Sequence, residues 1–291
     1  MSIDAPIRDT KQSSKHQVTV TTASGSQHSF DEVVVTCPLG WLKRNTTAFT
    51  PPLPTRLLEA ITSISYGRLE KIYIAFPRAF WHNPTNPSSE DAGDSLKTPV
   101  FAQFLEPAYT NHPQHIEWNQ ECLSLASLPE PCTQPALLFY TYGPCATHIV
   151  QAIAHFDPSS AEYKETLTNF LHPFYSRLPG YNATSADCTP STILATRWQT
   201  DPYAGNGSYC NFQVGLTHAK NDIEALRSGA GVGAERGLWF AGEHTAPYVA
   251  LGTTTGAYWS GERAAVQVCE RLGLGSVGVG IARDDSLPSA K

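Results

Sequence analysis

Gly237 to Gly273 reads GLWFAGEHTAPYVALGTTTGAYWSGERAAVQVCERLG. Leu238-Trp239-Phe240-Ala241 is a short apolar run, with the length and composition of a buried strand. It stops at Gly242-Glu243-His244-Thr245, and a loop containing Pro247 follows. Gly252-Thr253-Thr254-Thr255-Gly256 then leads into a helix expected from Ala257 to about Leu272. Its small residues Gly256, Ala257, Ser260, Gly261 and Ala264 allow close packing. A strand ending in Gly-Glu, before a helix that opens on Thr and Gly, suits a nucleotide. The carboxylate accepts sugar or polyol hydroxyls, while the free N–H groups and positive dipole end of the helix favour an anion. The helix alone is equally at home in any strand–loop–helix unit.

Working outward, three more stretches carry information. Residues 16–22 alternate as a half-buried strand, Ser24-Gly25-Ser26 turns, and Asp31 to Thr36 forms an apolar strand ending at Cys37-Pro38-Leu39-Gly40. After a Pro-rich boundary at Pro51, Pro52 and Pro54 comes an amphipathic helix over 56–64, then Gly67-Arg68-Leu69-Glu70-Lys71 and an alternating strand to Phe76, followed by Phe80-Trp81. A lysine at this point is ordinarily a solvated surface charge. The third stretch is TRWQTDPYAGNGSY, residues 196–209, whose Trp and Tyr would by residue type alone be core anchors. Residues 100–105 and 137–142 read as strands of a second sheet, 161–171 as a helix closed by Pro173, and 228–233 as a turn.

Together these stretches resemble the flavin-containing amine oxidases, the family of polyamine oxidases, monoamine oxidases and LSD-like histone demethylases. The carriers are FAGEHT with the TTTGAYWSGERAA helix, DEVVVTCPLG, the Gly67-x-x-x-Lys71…Phe76…Phe80-Trp81 pattern, and RWxxDP…GSY with one residue more than the commonest spacing before Gly207. The resemblance implies an α/β fold: part of an FAD-binding domain from 1–43 and 236–273, a mixed-sheet substrate domain with helices from 44–235, and a disordered tail from 274–291. It implies non-covalent FAD, since no Cys lies between Glu243 and Cys269. Gly242, Glu243, Thr253 and Thr254 are the implied cofactor contacts, with Trp198 and Tyr203 beside the flavin. Tyr209, with Thr253, lines the slot for the amine. Lys71 is the implied catalytic residue, reaching the flavin N5 through a water. The implied reaction is oxidation of a (poly)amine C–N bond by O2 with release of H2O2. LSD-like demethylation of histone lysine, or a truncated chain with only a binding role, are the alternatives. The family's opening strand–GxGxxG–helix unit has no counterpart here: Gly229-Ala230-Gly231-Val232-Gly233-Ala234 lacks the preceding strand. A fragment is therefore expected.

Composition narrows the function classes. Twenty Lys+Arg against 26 Asp+Glu give a net charge of −6, which argues against nucleic-acid binding by bulk charge and mildly favours cationic partners. Seven Cys occur with no CxxC pair and ten His with no ligand spacing, so no metal site is expected. No run approaches the ~18 apolar residues of a membrane-spanning helix. Met1 to Lys11 does not read as a secretion signal, and a cytoplasmic location is expected.

Overall fold

The structure, a computed structural model, describes residues 1–7, 17–82, 100–111, 118–212, 215–216 and 218–274. The stretch over 82–97, whose Pro, Ser, Asn and acidic residues read as a surface loop, and the tail over 274–291 lie outside these, apart from the first residue of each. The described residues form two compact units, one from Met1–Gly67 with Asp201–Lys291 and the other from Arg68–Thr200.

In the first unit β1 (Ser2–Asp4), β2 (Val18–Thr21) and β3 (Gln27–Phe30) run antiparallel. The β-branched run of β4 (Val33–Val35) leaves that sheet, and β5 (Phe49–Thr50) returns parallel to β1. The partner of β4 comes from some two hundred residues on. It is β13 (Leu238–Phe240), parallel, with Trp239 opposite Val34 and Phe240 opposite Val35. Both runs are apolar, as expected for strands of the same sheet. Their ends bring Pro38-Leu39-Gly40 and Gly242-Glu243 out on the same side of the pair.

Helices cover this pair. α1 (Leu39–Arg44) and α2 (Thr55–Ser63) supply Leu39, Leu42, Leu57 and Ile61 to one core. α5 (Ala219–Ser228) and α6 (Val232–Arg236) add Ile223, Leu226 and Val232 beside Val35, Leu238 and Phe240. So α2 and α5, which lie inside 44–235, share a core with β4 and β13. Asp222 of α5 takes bonds from Arg56 Nη2 and Ser63 Oγ, both at 2.6 Å, which joins α5 to α2. Residues 228–233, expected as a turn, instead wind through a 3-10 turn into α6. The last helix, α7 (Thr254–Arg271), starts three residues earlier than expected, because Thr253 Oγ1 accepts the Gly256 N–H at 2.9 Å and caps it. Two-residue strands β6 (Ser65–Tyr66) and β12 (Cys210–Asn211) pair antiparallel. Gly40 is there because no side chain fits: a Cβ would lie 2.0 Å from the Gly205 carbonyl and against the Tyr66 ring.

The second unit is a five-stranded sheet in the order β11-β7-β10-β9-β8. Its strands are β7 (Leu69–Ala75), β8 (Phe101–Phe104), β9 (Gln120–Ser124), β10 (Ala136–Tyr142) and β11 (Thr192–Ala195). Expected to mix directions, it is antiparallel between all neighbours. The reason is the crossover through α3 (Gly143–Ala152) and α4 (Ala161–Tyr175), which sets β10 and β11 on either side of β7 instead of next to each other. α4 runs past Pro173, which lies inside its last turn rather than closing the helix. Phe76, Phe80, Trp81 and Tyr175 form an edge-to-face cluster with centroids 5.0–5.6 Å apart. Buried Tyr163 Oη accepts the Ala195 N–H at 2.8 Å and pins α4 to β11. No helix among the described residues is long and apolar enough to cross a membrane.

Arg236 is a buried cation of the first unit, 3% exposed. Its guanidinium donates to the carbonyls of Ala5, Pro51 and Pro52 at 2.6, 2.7 and 3.2 Å. Arg236→Met leaves those carbonyls without their donor and is expected to cost about 2–4 kcal/mol, read as a lower urea midpoint at unchanged slope. An unchanged midpoint would mean that the clamp does not hold the N-terminal strand.

Candidate functional site

The site is built where β13 ends. Ala241 N–H donates to Val35 O at 3.1 Å, continuing the ladder, and Gly242 then takes φ +136°, a region that excludes most side chains. The backbone turns into a 3-10 turn over Glu243–Thr245. α7 holds that turn in place. Ser260 Oγ accepts the Gly242 N–H at 2.8 Å. Arg263 reaches from α7 to Phe240 O at 2.6 Å, to Arg227 O at 2.6 Å, and to Thr245 O and Oγ1 at 3.2 Å. Burial, then the neighbouring Arg227 charge, lowers the Arg263 pKa to about 10, so it remains a cation at neutral pH. It closes strand, turn and α5 into one piece.

Within that piece Glu243 is gripped from β12. Cys210 N–H donates to Oε1 at 3.1 Å and Cys210 Sγ to Oε2 at 2.6 Å, and the Gly252 N–H is a further donor. Burial pushes the carboxyl above the usual range, and these three bonds pull it back in part. Burial, then the Glu243 charge, drives the nearby Tyr66 phenol up to about 12. Gly252 leads through Thr253, the cap, into the first turn of α7. There the N–H groups of Thr254 and Thr255 have no acceptor within the helix. Tyr209 is half-exposed, its ring edge within 3.0 Å of where a Cβ on Gly252 would stand.

Gly242, Glu243, Thr253, Thr254 and Tyr209 are therefore assembled in the first unit. Tyr203 belongs to it too, 91% exposed on a turn made by Asp201 Oδ1 accepting its N–H at 2.8 Å. Lys71 and Trp198 lie in the second unit. Lys71 is tied to Thr196, two residues before Trp198: Lys71 N–H donates to Thr196 Oγ1 at 2.8 Å and Thr196 N–H to Lys71 O at 2.9 Å. Lys71 Nζ stands over the Tyr140 ring, 5.9 Å from its centroid. A cavity of about 520 Å³ in the first unit, lined by Arg56, Glu59, His218 and Asp222, includes none of these residues.

Sequence reasoning missed three contributors. Glu70, 0% exposed, accepts from Thr196 Oγ1 at 2.6 Å, from the N–H groups of Trp198 and Gln199 at 3.0 Å, and from Gln199 Nε2 at 3.4 Å. It fastens the segment carrying Trp198 to the strand carrying Lys71. Its signal was available: strand alternation that faces Lys71 outward turns Glu70, Ile72 and Ile74 inward. Cys210 and Arg263 had no local signal, because their partners are distant in the chain.

The donor and acceptor set fits a flavin nucleotide: one desolvated carboxylate for hydroxyls beside N–H groups that have no acceptor within the helix. Comparison with known proteins gives the same reading. The profile of the family "Flavin containing amine oxidoreductase" matches residues 2–269. The chain belongs to that family. Among its relatives, "Lysine-specific histone demethylase 1 homolog 3" of Arabidopsis thaliana is 27% identical over 265 residues, 90% of this chain and 14% of the relative. "Peroxisomal N(1)-acetyl-spermine/spermidine oxidase" of Homo sapiens is 29% identical over 255 residues, 85% of this chain and 44% of the relative. "Corticosteroid-binding protein" of Candida albicans is 27% identical over 279 residues, 91% of this chain and 51% of the relative. The chain thus spans about half or less of the length of these relatives.

Two predictions follow from the buried groups. Glu70→Ala strands four donors and is expected to cost about 3 kcal/mol or more in urea unfolding, with Glu70→Gln in between. His244, 1% exposed, has both ring nitrogens without a partner among the described residues. Burial, then the Arg263 charge, lowers its pKa to about 4. Its stability contribution is therefore present above the ordinary value of 6.5 and is lost as pH falls from there to about 4, by about 3 kcal/mol. In His244→Phe that part of the acid loss should vanish from denaturant midpoints measured across the window. An identical acid profile would show that the ring titrates normally.

Proposed function

We propose that the chain takes part in FAD-dependent oxidation of an amine C–N bond, with a polyamine as the substrate class, O2 as acceptor and H2O2 as product. The observation that carries this is the Glu243 carboxylate, held by three donors next to the capped N-terminus of α7, in a chain of the amine oxidoreductase family. Non-covalent FAD, when bound, supplies the acceptor for the hydride equivalents leaving the carbon beside nitrogen.

The chain's own residues do the rest. Glu243 accepts hydroxyls of the cofactor. Thr253 caps the helix and leaves the Thr254 and Thr255 N–H groups for an electron-rich carbonyl edge. Tyr209 offers a half-exposed aromatic face for the substrate amine, attracting the ammonium by cation–π contact and desolvating the neutral amine whose lone pair the reaction needs. Trp198 and Tyr203 would be the residues beside the flavin, as the family resemblance implies. Lys71, its Nζ over the Tyr140 ring, would hold the water that hydrolyses the imine or assists reoxidation. The balance is amine plus O2 and water giving aldehyde, shortened amine and H2O2. The demethylase among the relatives raises N-methyl-lysine as the second substrate reading, since its C–N bond is oxidised in the same way.

The test is to titrate the purified chain with FAD, follow the visible flavin bands, and then add N-acetylspermine or a dimethyl-lysine peptide with peroxide detection. The expected result is a protein-dependent spectral shift and amine-dependent bleaching reversed by air, larger with the polyamine. Lys71→Met should slow turnover about a hundredfold at unchanged FAD affinity. No spectral shift and no amine-dependent peroxide would contradict the proposal.

A further inference from the structure

We infer that Cys210 is a positioning residue for the Glu243 carboxylate, its N–H and its thiol gripping one oxygen each so that the carboxylate is presented in a fixed orientation. This rests on the reading that Glu243 meets the cofactor, but the grip itself is on the page. The donor residue is held from both sides. β12 pairs with β6 with Cys210 opposite Tyr66, Gly67 N–H donates to Tyr209 O at 2.7 Å, and Ser208 N–H donates to Gly67 O at 2.9 Å. The thiol, 2% exposed, has no freedom to wander. The carboxylate is met at 3.1 Å on Oε1 and 2.6 Å on Oε2, by a residue 33 positions earlier in the chain.

This arrangement changes what Glu243 can do. A desolvated carboxylate with no donors takes up a proton and becomes itself a donor. Donation from Cys210 opposes that and keeps the group an acceptor, which is what a hydroxyl-bearing ligand needs. The thiol is suited to the task because burial, then the adjacent carboxylate, pushes its own ionisation far up, so it keeps its proton. Among the described residues the titratable groups facing Glu243 are Cys210 and Tyr66, and Tyr66 is pushed to about 12 and stays neutral. A residue at 210 that merely filled the core would need no donor at all. Serine, a stronger donor of similar shape, and alanine, with none, separate the two roles.

The experiment is a carboxyl carbon NMR titration of the whole chain labelled at glutamate, with the Glu243 resonance assigned by its loss in Glu243→Gln. Relative to wild type, the Glu243 midpoint should move down in Cys210→Ser and up in Cys210→Ala, by about one pH unit in the latter. In parallel, the infrared S–H band that disappears in Cys210→Ser should lie at lower frequency in wild type than in Glu243→Gln, whose neutral amide accepts more weakly. Equal midpoints in the three proteins, or an S–H band indifferent to Glu243→Gln, would overturn the assignment. Neither measurement contains flavin. Failure of the cofactor reading shows elsewhere, as FAD affinity unchanged by Glu243→Gln.

Discussion

The parallel pairing of β4 with β13 is the constraint on which the first unit depends. Three residue pairs, Leu238–Val33, Trp239–Val34 and Phe240–Val35, close a loop of about two hundred residues. Closing so long a loop carries a large entropy cost, which three ladder pairs alone do not offset. The rest comes from what the pairing brings together. Trp239 Nε1 donates to Glu32 at 2.8 Å, and Arg271 of α7 pairs with the same carboxylate. Leu238 and Phe240 enter the core of α2 and α5. Arg263 then ties the end of β13 to the turn that carries Glu243. The functional turn is thus stiff because of side chains that never face a ligand.

A second theme is the buried carboxylate as an organiser. Glu70 and Glu243 sit in different units and are treated alike: each is desolvated and each is met by backbone N–H groups together with a side-chain donor. A buried charge is costly to install and costlier to abandon, so donors converge on it and the segments that bear them lose their freedom. Glu70 in this way fixes the segment of Trp198, and Glu243 fixes the junction of β12 with the start of α7. The two differ in surplus: Glu70 spends its lone pairs inside the protein, whereas Glu243 keeps capacity to accept from a ligand.

Much of this was legible in the amino-acid order. Strand character at Val33–Val35 and Leu238–Phe240, alternation over Leu69–Ala75 and the Thr-Gly opening of α7 all follow from period and residue type. The cap moved the start of α7 to Thr254, because Thr253 Oγ1 competes successfully for the Gly256 N–H, which a propensity argument does not weigh. Arg263 looked like one charge among several on a helix, although it is a clamp on three segments, since its carbonyl acceptors carry no sequence signature. Cys210 was invisible for the same reason. Strand directions in the second sheet depend on how α3 and α4 cross over, information no single strand contains.

The central claim is that the Glu243 turn and the first turn of α7 form one cofactor-holding element. Amide NMR of the chain titrated with FAD, and separately with riboflavin, measures it most directly. The largest shifts are expected at Glu243, at Gly252 to Thr255 and at Tyr209 and Cys210, with riboflavin reproducing most of them. Shifts centred instead on the Arg56–Asp222 cavity, or none at the α7 N-terminus at saturating FAD, would contradict it.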